Sequence, residues 1–252
     1  MRRSDLIVRV RAMAPWAEGE PSPIIGGHAA AAALIDRLDI EAYGRTRNDL
    51  DGAVLRVSPY VRHGVVSLAE LRDRALDSPH WPEKFVQQLA WRDYFQRRYR
   101  QDPESVWVDL EPYKTGFVPD DYADDLPDDI RSGSTGVAAI DGLITQLLET
   151  GYIHNRARLY IASYTVHWRR VKWQAGANWF LAHLLDGDPA SNNYSWQWVA
   201  STFSNKPYYF NLDNLQAFGS DSIDTSYHRN KPLSGSYEDV KQRLFPNVEH
   251  DW

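Results

Sequence analysis

The sequence predicts an all-α protein, and three observations carry that reading. Apolar residues return at helical spacing, as in Ile140, Leu143, Ile144, Leu147 and Leu148. Helix-start chemistry is present: Ser67-Leu68-Ala69-Glu70 has the Ser-x-x-Glu form of a capping box. The stretch from Gly151 to Ser201 then sets two amphipathic patterns one after the other. Tyr160, Ile161, Tyr164 and Trp168 mark the apolar side of the first, and Phe180, Leu181, Leu184 and Leu185 that of the second.

Composition bounds what the chain can be. Its 252 residues suit one large domain or two small ones with a substantial core. Ten Trp and 14 Tyr are unusually many; most of them suit a packed core, and they also suit a site for a planar ligand. A formal charge of −6 argues against a globally basic nucleic-acid binder and still allows a local basic groove. Zero Cys excludes disulfides and thiolate metal sites, and fits a reducing, cytoplasmic setting. No apolar run is long enough to span a bilayer, and the basic start is too interrupted by charge for a secretory signal.

In chain order, Leu6, Val8 and Val10 alternate with Ile7, Arg9 and Arg11, which predicts a short strand or an extended lead-in. Pro15 to Gly27 reads as loop, so residues 1–27 form an N-terminal extension and 28–252 the folded domain. The alanine-rich run with Leu34, Ile35 and Leu38 predicts a helix from His28 to about Ala42. Another begins at Ser67, and a third follows Pro82 with Phe85 and Leu89 on its buried side. On a separate face of that helix Gln88 and Trp91 lie three apart, with Arg92 four beyond Gln88. Asp120 to Asp129 is strongly acidic and reads as an exposed loop. Thr135-Gly136 opens the helix that ends near Gly151, and GSYEDVKQRLFP predicts a short capped helix near the end.

The chemistry-bearing residues gather in the central stretch. On its first helix Asn155 and Arg158 are three apart and share a face. The elbow Asp186-Gly187-Asp188 adds two carboxylates, followed by Asn192-Asn193 and Trp196-Gln197-Trp198. A guanidinium fork, two acceptor-only carboxylates and amides suit a polar, planar heterocycle, although an Arg–Asp pair between packed helices is also an ordinary structural device. The order H-N-R-x-R, D-G-D-x-x-x-N-N, W-Q-W-x-A-S resembles the FAD-binding helical domain of the photolyase/cryptochrome family.

That resemblance implies an all-helical bundle holding a U-shaped FAD, without the N-terminal α/β antenna domain that full-length members carry, and it leaves open a separate antenna-domain polypeptide as partner. Position by position, it implies that Arg158 pairs with Asp186 at the flavin edge. Asp188 accepts from the ring imide or ribose side, and Asn192 faces flavin N5. Asn155 lies near the adenine, and Tyr43, Arg56 and Ser58 near the adenine-diphosphate end. There Val54 and Leu55 replace two hydroxyl residues of the family, which removes two side-chain contacts to phosphate. Asp141 and Phe210-Asn211 match further family positions.

Trp196 matches the proximal and Trp173 the middle member of the family's photoreduction chain. No Trp stands at the distal place, where Tyr113, Phe117, Tyr122 or Trp107 are the candidates. Gln88, Trp91, Arg92, Leu159 and Trp198 stand at the substrate-pocket positions, with Gln88 and Leu159 in place of the Glu and Met usual in dimer photolyases, while His154 lacks the partner His that (6-4) enzymes use and reads as structural. The resemblance leaves three readings: a blue-light-reducible flavoprotein for light sensing or flavin redox chemistry, a pyrimidine-dimer photolyase acting on damaged or single-stranded DNA, and a flavin-free interaction module.

Overall fold

Thirteen α-helices and no strand make up residues 2–16 and 19–248, which the computed structural model describes; an isolated bridge between Ala123 and Val171 is the one trace of β pairing among them. The first group comprises α1 (Arg3–Met13), α2 (His28–Ile35), α3 (Ile40–Thr46), α4 (Ser58–Arg62) and α5 (Leu68–Leu76). The long α6 (Glu83–Gln101) follows. After the short α7 (Asp128–Ser132) come α8 (Ala138–Thr150), α9 (Asn155–Ser163), α10 (Trp173–His183) and α11 (Pro189–Ala200). α12 (Leu212–Phe218) and α13 (Tyr237–Leu244) complete the order.

Local chemistry explains many of these boundaries. The Ser67 hydroxyl accepts from the Glu70 N–H at 3.1 Å and the Glu70 carboxylate accepts from the Ser67 N–H at 2.7 Å, so α5 starts where its capping box stands. Gly151 ends α8 at φ 69°, a left-handed backbone that glycine adopts without steric cost. Asp141 caps the entry to α8, accepting from the Thr135 N–H, the Thr135 hydroxyl and the Gly136 N–H. Asn211 caps α12 and Ser236 caps α13 in the same way.

Three expectations are corrected. The alternating Leu6–Arg11 stretch is helical, not extended. A strand needs a neighbour to take its backbone hydrogen bonds, and α1 satisfies them internally, with Asp5 accepting from the Arg2 N–H at 3.3 Å. The extension is therefore not all loop; Ala17 and Glu18 within it, like Met1 and residues 249–252, lie outside the described residues. The helix expected from His28 to Ala42 is two, because the Asp39 carboxylate accepts from the Ala42 N–H at 2.9 Å and starts α3 afresh. The acidic segment is not simply an exposed loop. Tyr122 and Leu126 are buried in the core, and Asp129 receives a forked pair of hydrogen bonds from Arg169 at 2.7 and 3.1 Å.

The apolar side chains fall into separate clusters. The largest joins α8 to α12 through Leu143, Leu147, Tyr160, Phe180, Trp196 and Phe210. A second joins α2, α3, α4 and α5 through Ala31, Tyr43, Tyr60 and Leu71, with Phe85 from the start of α6. Farther along α6, Phe95 and Tyr99 reach a third, around Tyr194 of α11. α6 thus crosses from one cluster to another. Among the described residues no helix is long and apolar enough to cross a membrane.

Candidate functional site

Between the first two clusters opens a cavity with about 1090 Å³ of non-atom space, part of it open to solvent. Tyr43 of α3 and Ser58 of α4 line one side, and Gln88, Trp91 and Arg92 of α6 another. α9 presents Asn155, Arg158 and Leu159. The elbow before α11 brings Asp186 and Asp188, and α11 itself adds Asn192 and Trp196. Residues spread over much of the chain therefore meet in one hollow.

Its electrostatics centre on a part-buried ion pair between buried Asp186 and partly exposed Arg158. The Arg158 Nη2–H donates to Asp186 Oδ2 at 2.8 Å, and the Arg158 Nε–H donates to the Ile153 carbonyl at 3.1 Å. Burial pushes the Asp186 carboxyl up, but the charge and hydrogen bond of Arg158, helped by the Ser58 hydroxyl, outweigh it and hold the group below the usual carboxylate range. Burial likewise works against the Arg158 charge, and Asp186 more than offsets it. Asp188 is shared between fold and site. Its Oδ1 caps α11 by accepting from the Ser191 N–H at 3.1 Å and accepts from Gln96 Nε2 at 2.6 Å, while Oδ2 lies 2.9 Å from Arg92 Nη1.

Asn192 is held in a defined orientation. Its Nδ2 donates to the Ala177 carbonyl at 3.0 Å and to Asn193 Oδ1 at 2.8 Å, which leaves its own Oδ1 as an acceptor. Trp196 is buried with its Nε1–H unpartnered, and Phe180 meets its ring edge-on at 5.0 Å. Asp186 Oδ1 is likewise buried without a hydrogen bond. An unsatisfied acceptor and an unsatisfied donor in one large cavity fit a ligand that carries both donors and acceptors, as an isoalloxazine and its ribityl chain do.

Three expected residues do not line this cavity. Trp173 is fully buried behind it, its Nε1–H donating to Asp109 Oδ1 at 2.6 Å. Trp198 faces outward, 43 % exposed, with its ring on Tyr208. Arg56 lines two other hollows beyond Tyr152, and its guanidinium sits 5.8 Å over that ring. Val54 and Leu55 pack against the second apolar cluster, which explains their lost hydroxyls in terms of packing. Of the distal candidates, Tyr113 rests against the Trp173 backbone and stacks on Tyr122 at 4.6 Å, whereas Trp107 is 39 % exposed. His154 caps α9 through Nδ1.

Sequence reasoning missed Gln96 and Tyr152. Gln96 follows Gln88 and Arg92 at successive steps of four on α6, a helical-face pattern that was there to find. Tyr152 carried no such signal. Its ring lies under both Arg158, at 5.6 Å, and Arg56, and only the turn after Gly151 places it there.

Residues 85–228 match the family described as the FAD binding domain of DNA photolyase, and the chain belongs to that family. It is 40% identical over 162 residues to the deoxyribodipyrimidine photo-lyase of Streptomyces griseus, covering 64% of this chain and 35% of that protein. The corresponding protein of Halobacterium salinarum is 29% identical over 221 residues, 81% of this chain and 45% of its own. A solved photolyase from Sulfolobus tokodaii, described with two FAD molecules, superposes with a TM-score of 0.69 at 26% identity, covering 96% of this chain and 53% of that one. A Synechocystis cryptochrome, also at 0.69 but 20% identical, shows the same fold. The chain spans less than half the length of these two curated relatives.

Proposed function

We propose that this chain binds FAD in the cavity and works in the cytoplasm as a blue-light-reducible flavoprotein, sensing light or doing flavin redox chemistry on a ligand at the cavity mouth. The observation that carries the reading is the Arg158–Asp186 pair, whose spare, buried Asp186 oxygen shares one cavity with Asp188 and Asn192. When bound, FAD supplies blue-light absorption and one- or two-electron exchange. Arg158 and Asp186 hold complementary charge at the flavin edge. Asp188, fixed by Gln96 and Arg92, offers an acceptor to ring or ribose donors. Asn192 Oδ1, free because its Nδ2 is tied to α10, would offer an acceptor to a protonated flavin nitrogen and so would favour reduced forms.

Trp196 lines the cavity and, with the fully buried Trp173, would carry electrons toward bound FAD, and Tyr113 on its Tyr122 stack is the distal donor we favour. Burial pushes the Tyr113 phenol well above its usual range, with Asp109 adding to the shift, so it stays protonated until oxidised. The test is the absorption of the purified protein loaded with FAD, dark and under blue light with an external reductant. Wild type should bleach. Trp196→Phe should slow bleaching at least tenfold, and an equal rate in the mutant would defeat the electron route. A preparation that stays colourless after incubation with FAD would defeat the whole reading.

One observation favours a second reading, repair of pyrimidine dimers in damaged or single-stranded DNA. Trp91 is 49 % exposed at the cavity wall, beside Arg92 and against Tyr94 and Phe95, an aromatic platform on which an unstacked base can lie. Loss of dimers from an irradiated oligonucleotide under blue light, against a dark control, separates it from the first.

A further inference from the structure

Across the Tyr152 ring from the main cavity lies a second hollow, with about 980 Å³ of non-atom space that is partly open to solvent. Its walls are aliphatic. Ile24 and Ile25 come from the segment before α2, and α2 turns Ala30, Ala33 and Leu34 toward it, at the i, i+3, i+4 spacing of one face. The two alanines leave the space that larger residues would fill. The Ile24–Ile25 wall is tied down at both ends: the Ser22 hydroxyl donates to the Thr150 carbonyl and the Tyr60 hydroxyl to the Ile25 carbonyl, each at 2.5 Å.

The polar edge of this hollow is cationic. Arg37 and Arg56 both line it, and among the described residues neither guanidinium has a carboxylate partner. Arg56 is also held at φ 53°, a left-handed conformation that a residue with a side chain adopts only when its surroundings require it. Both guanidiniums are exposed at the mouth of an aliphatic pocket, where a single anion can meet them. The main cavity differs, because there Arg158 and Arg92 already face Asp186 and Asp188.

We propose that this hollow is a second small-molecule site, for an amphiphilic anion: a carboxylate or phosphate held by Arg37 and Arg56, with an apolar body against Ile24, Ile25 and Leu34. Such chemistry belongs both to acyl carboxylates and to nucleotides, and the test separates them. Decanoate and adenosine monophosphate are each titrated calorimetrically into protein saturated with FAD, with decylamine as the same body bearing the opposite charge. One of the two anions should bind with a stoichiometry near one, and decylamine should not. Arg37→Gln should weaken binding at least tenfold, and Ala33→Trp, which places an indole in the hollow from an exposed position, should abolish it.

Four results would overturn the assignment. They are no binding of either anion, equal binding of decylamine, wild-type binding in both variants, and displacement of the anion by FAD titrated into apoprotein. The last would make the hollow an arm of the flavin site. Should FAD itself fail to bind, the same titration on apoprotein still decides this site, so its fate is separable from that of the flavin reading.

Discussion

His154 accepts the Arg156 N–H on Nδ1 at 3.0 Å, so its own proton sits on Nε2 and the ring caps α9 as a neutral imidazole. Burial pushes its pKa down to about 4, and the nearby arginines add to the effect. The folded chain therefore binds this proton more weakly than the unfolded chain, whose histidine titrates near 6.5. The stabilisation is complete above about pH 6.5 and is lost as pH falls through 4, amounting to about 3 kcal/mol. His154→Asn keeps an acceptor at the cap and removes the titration. Between pH 7 and 4 the urea midpoint of the variant should fall less than that of wild type. Buried His167, held down to about 3, is common to both proteins and cancels from the comparison. Parallel pH curves would show that His154 is not protonated on unfolding in this range. The sequence marked this histidine as structural, but the backbone N–H it caps depends on where α9 begins.

At the scale of helices, Gly176 of α10 lets the Trp196 ring of α11 approach closely. A Cβ on Gly176 would lie 2.3 Å from the far edge of the Trp196 ring, a separation that real atoms do not tolerate. Gly176→Ala should therefore cost about 1–3 kcal/mol by overpacking. In a Trp196→Phe background, where the ring is shorter, the same substitution should cost clearly less. Denaturant midpoints of the four proteins give the coupling, and additive costs would mean that the helices shift apart to make room. The helices themselves were legible where caps and period agree, as at Ser67 and Gly151. They were illegible where the deciding force is an absent neighbour, as in α1, or a carboxylate that the pattern does not mark as a cap, as at Asp39 and Asp141. The π-helical turn Tyr164–Trp168 left no trace either, because one extra residue in a turn changes the register without changing which residues are apolar.

For the molecule as a whole, the main cavity is a seam. Tyr43 and Ser58 reach it from the cluster around α2–α5, and Arg158, Asn192 and Trp196 from the larger core. Most of the expected lining was readable because residues three or four apart on a helix share a face, as Asn155 and Arg158 do. Trp198 was misplaced against the same rule. It stands two residues after Trp196 on α11, so when one is buried at 2 % exposure the other must look away. Which helix faces meet across the seam is a matter of packing between distant segments, and no spacing in the sequence encodes it. The direct ties across it include the Arg62 Nε–H to the Gly187 carbonyl at 2.6 Å and His63 Nε2 to the Leu185 carbonyl at 3.0 Å, both with exposed partners. Solvent-exposed ties of this kind open at low cost. A ligand that touches both sides adds free energy only to the closed form, about 2.7 kcal/mol at one hundred times its Kd. Hydrogen exchange should accordingly show α3 and α4 less protected than α8 and α11 in apoprotein, with saturating FAD raising protection mostly in α3 and α4. If protection rises equally everywhere, the two clusters unfold as one unit and the cavity is not a seam between independently opening parts.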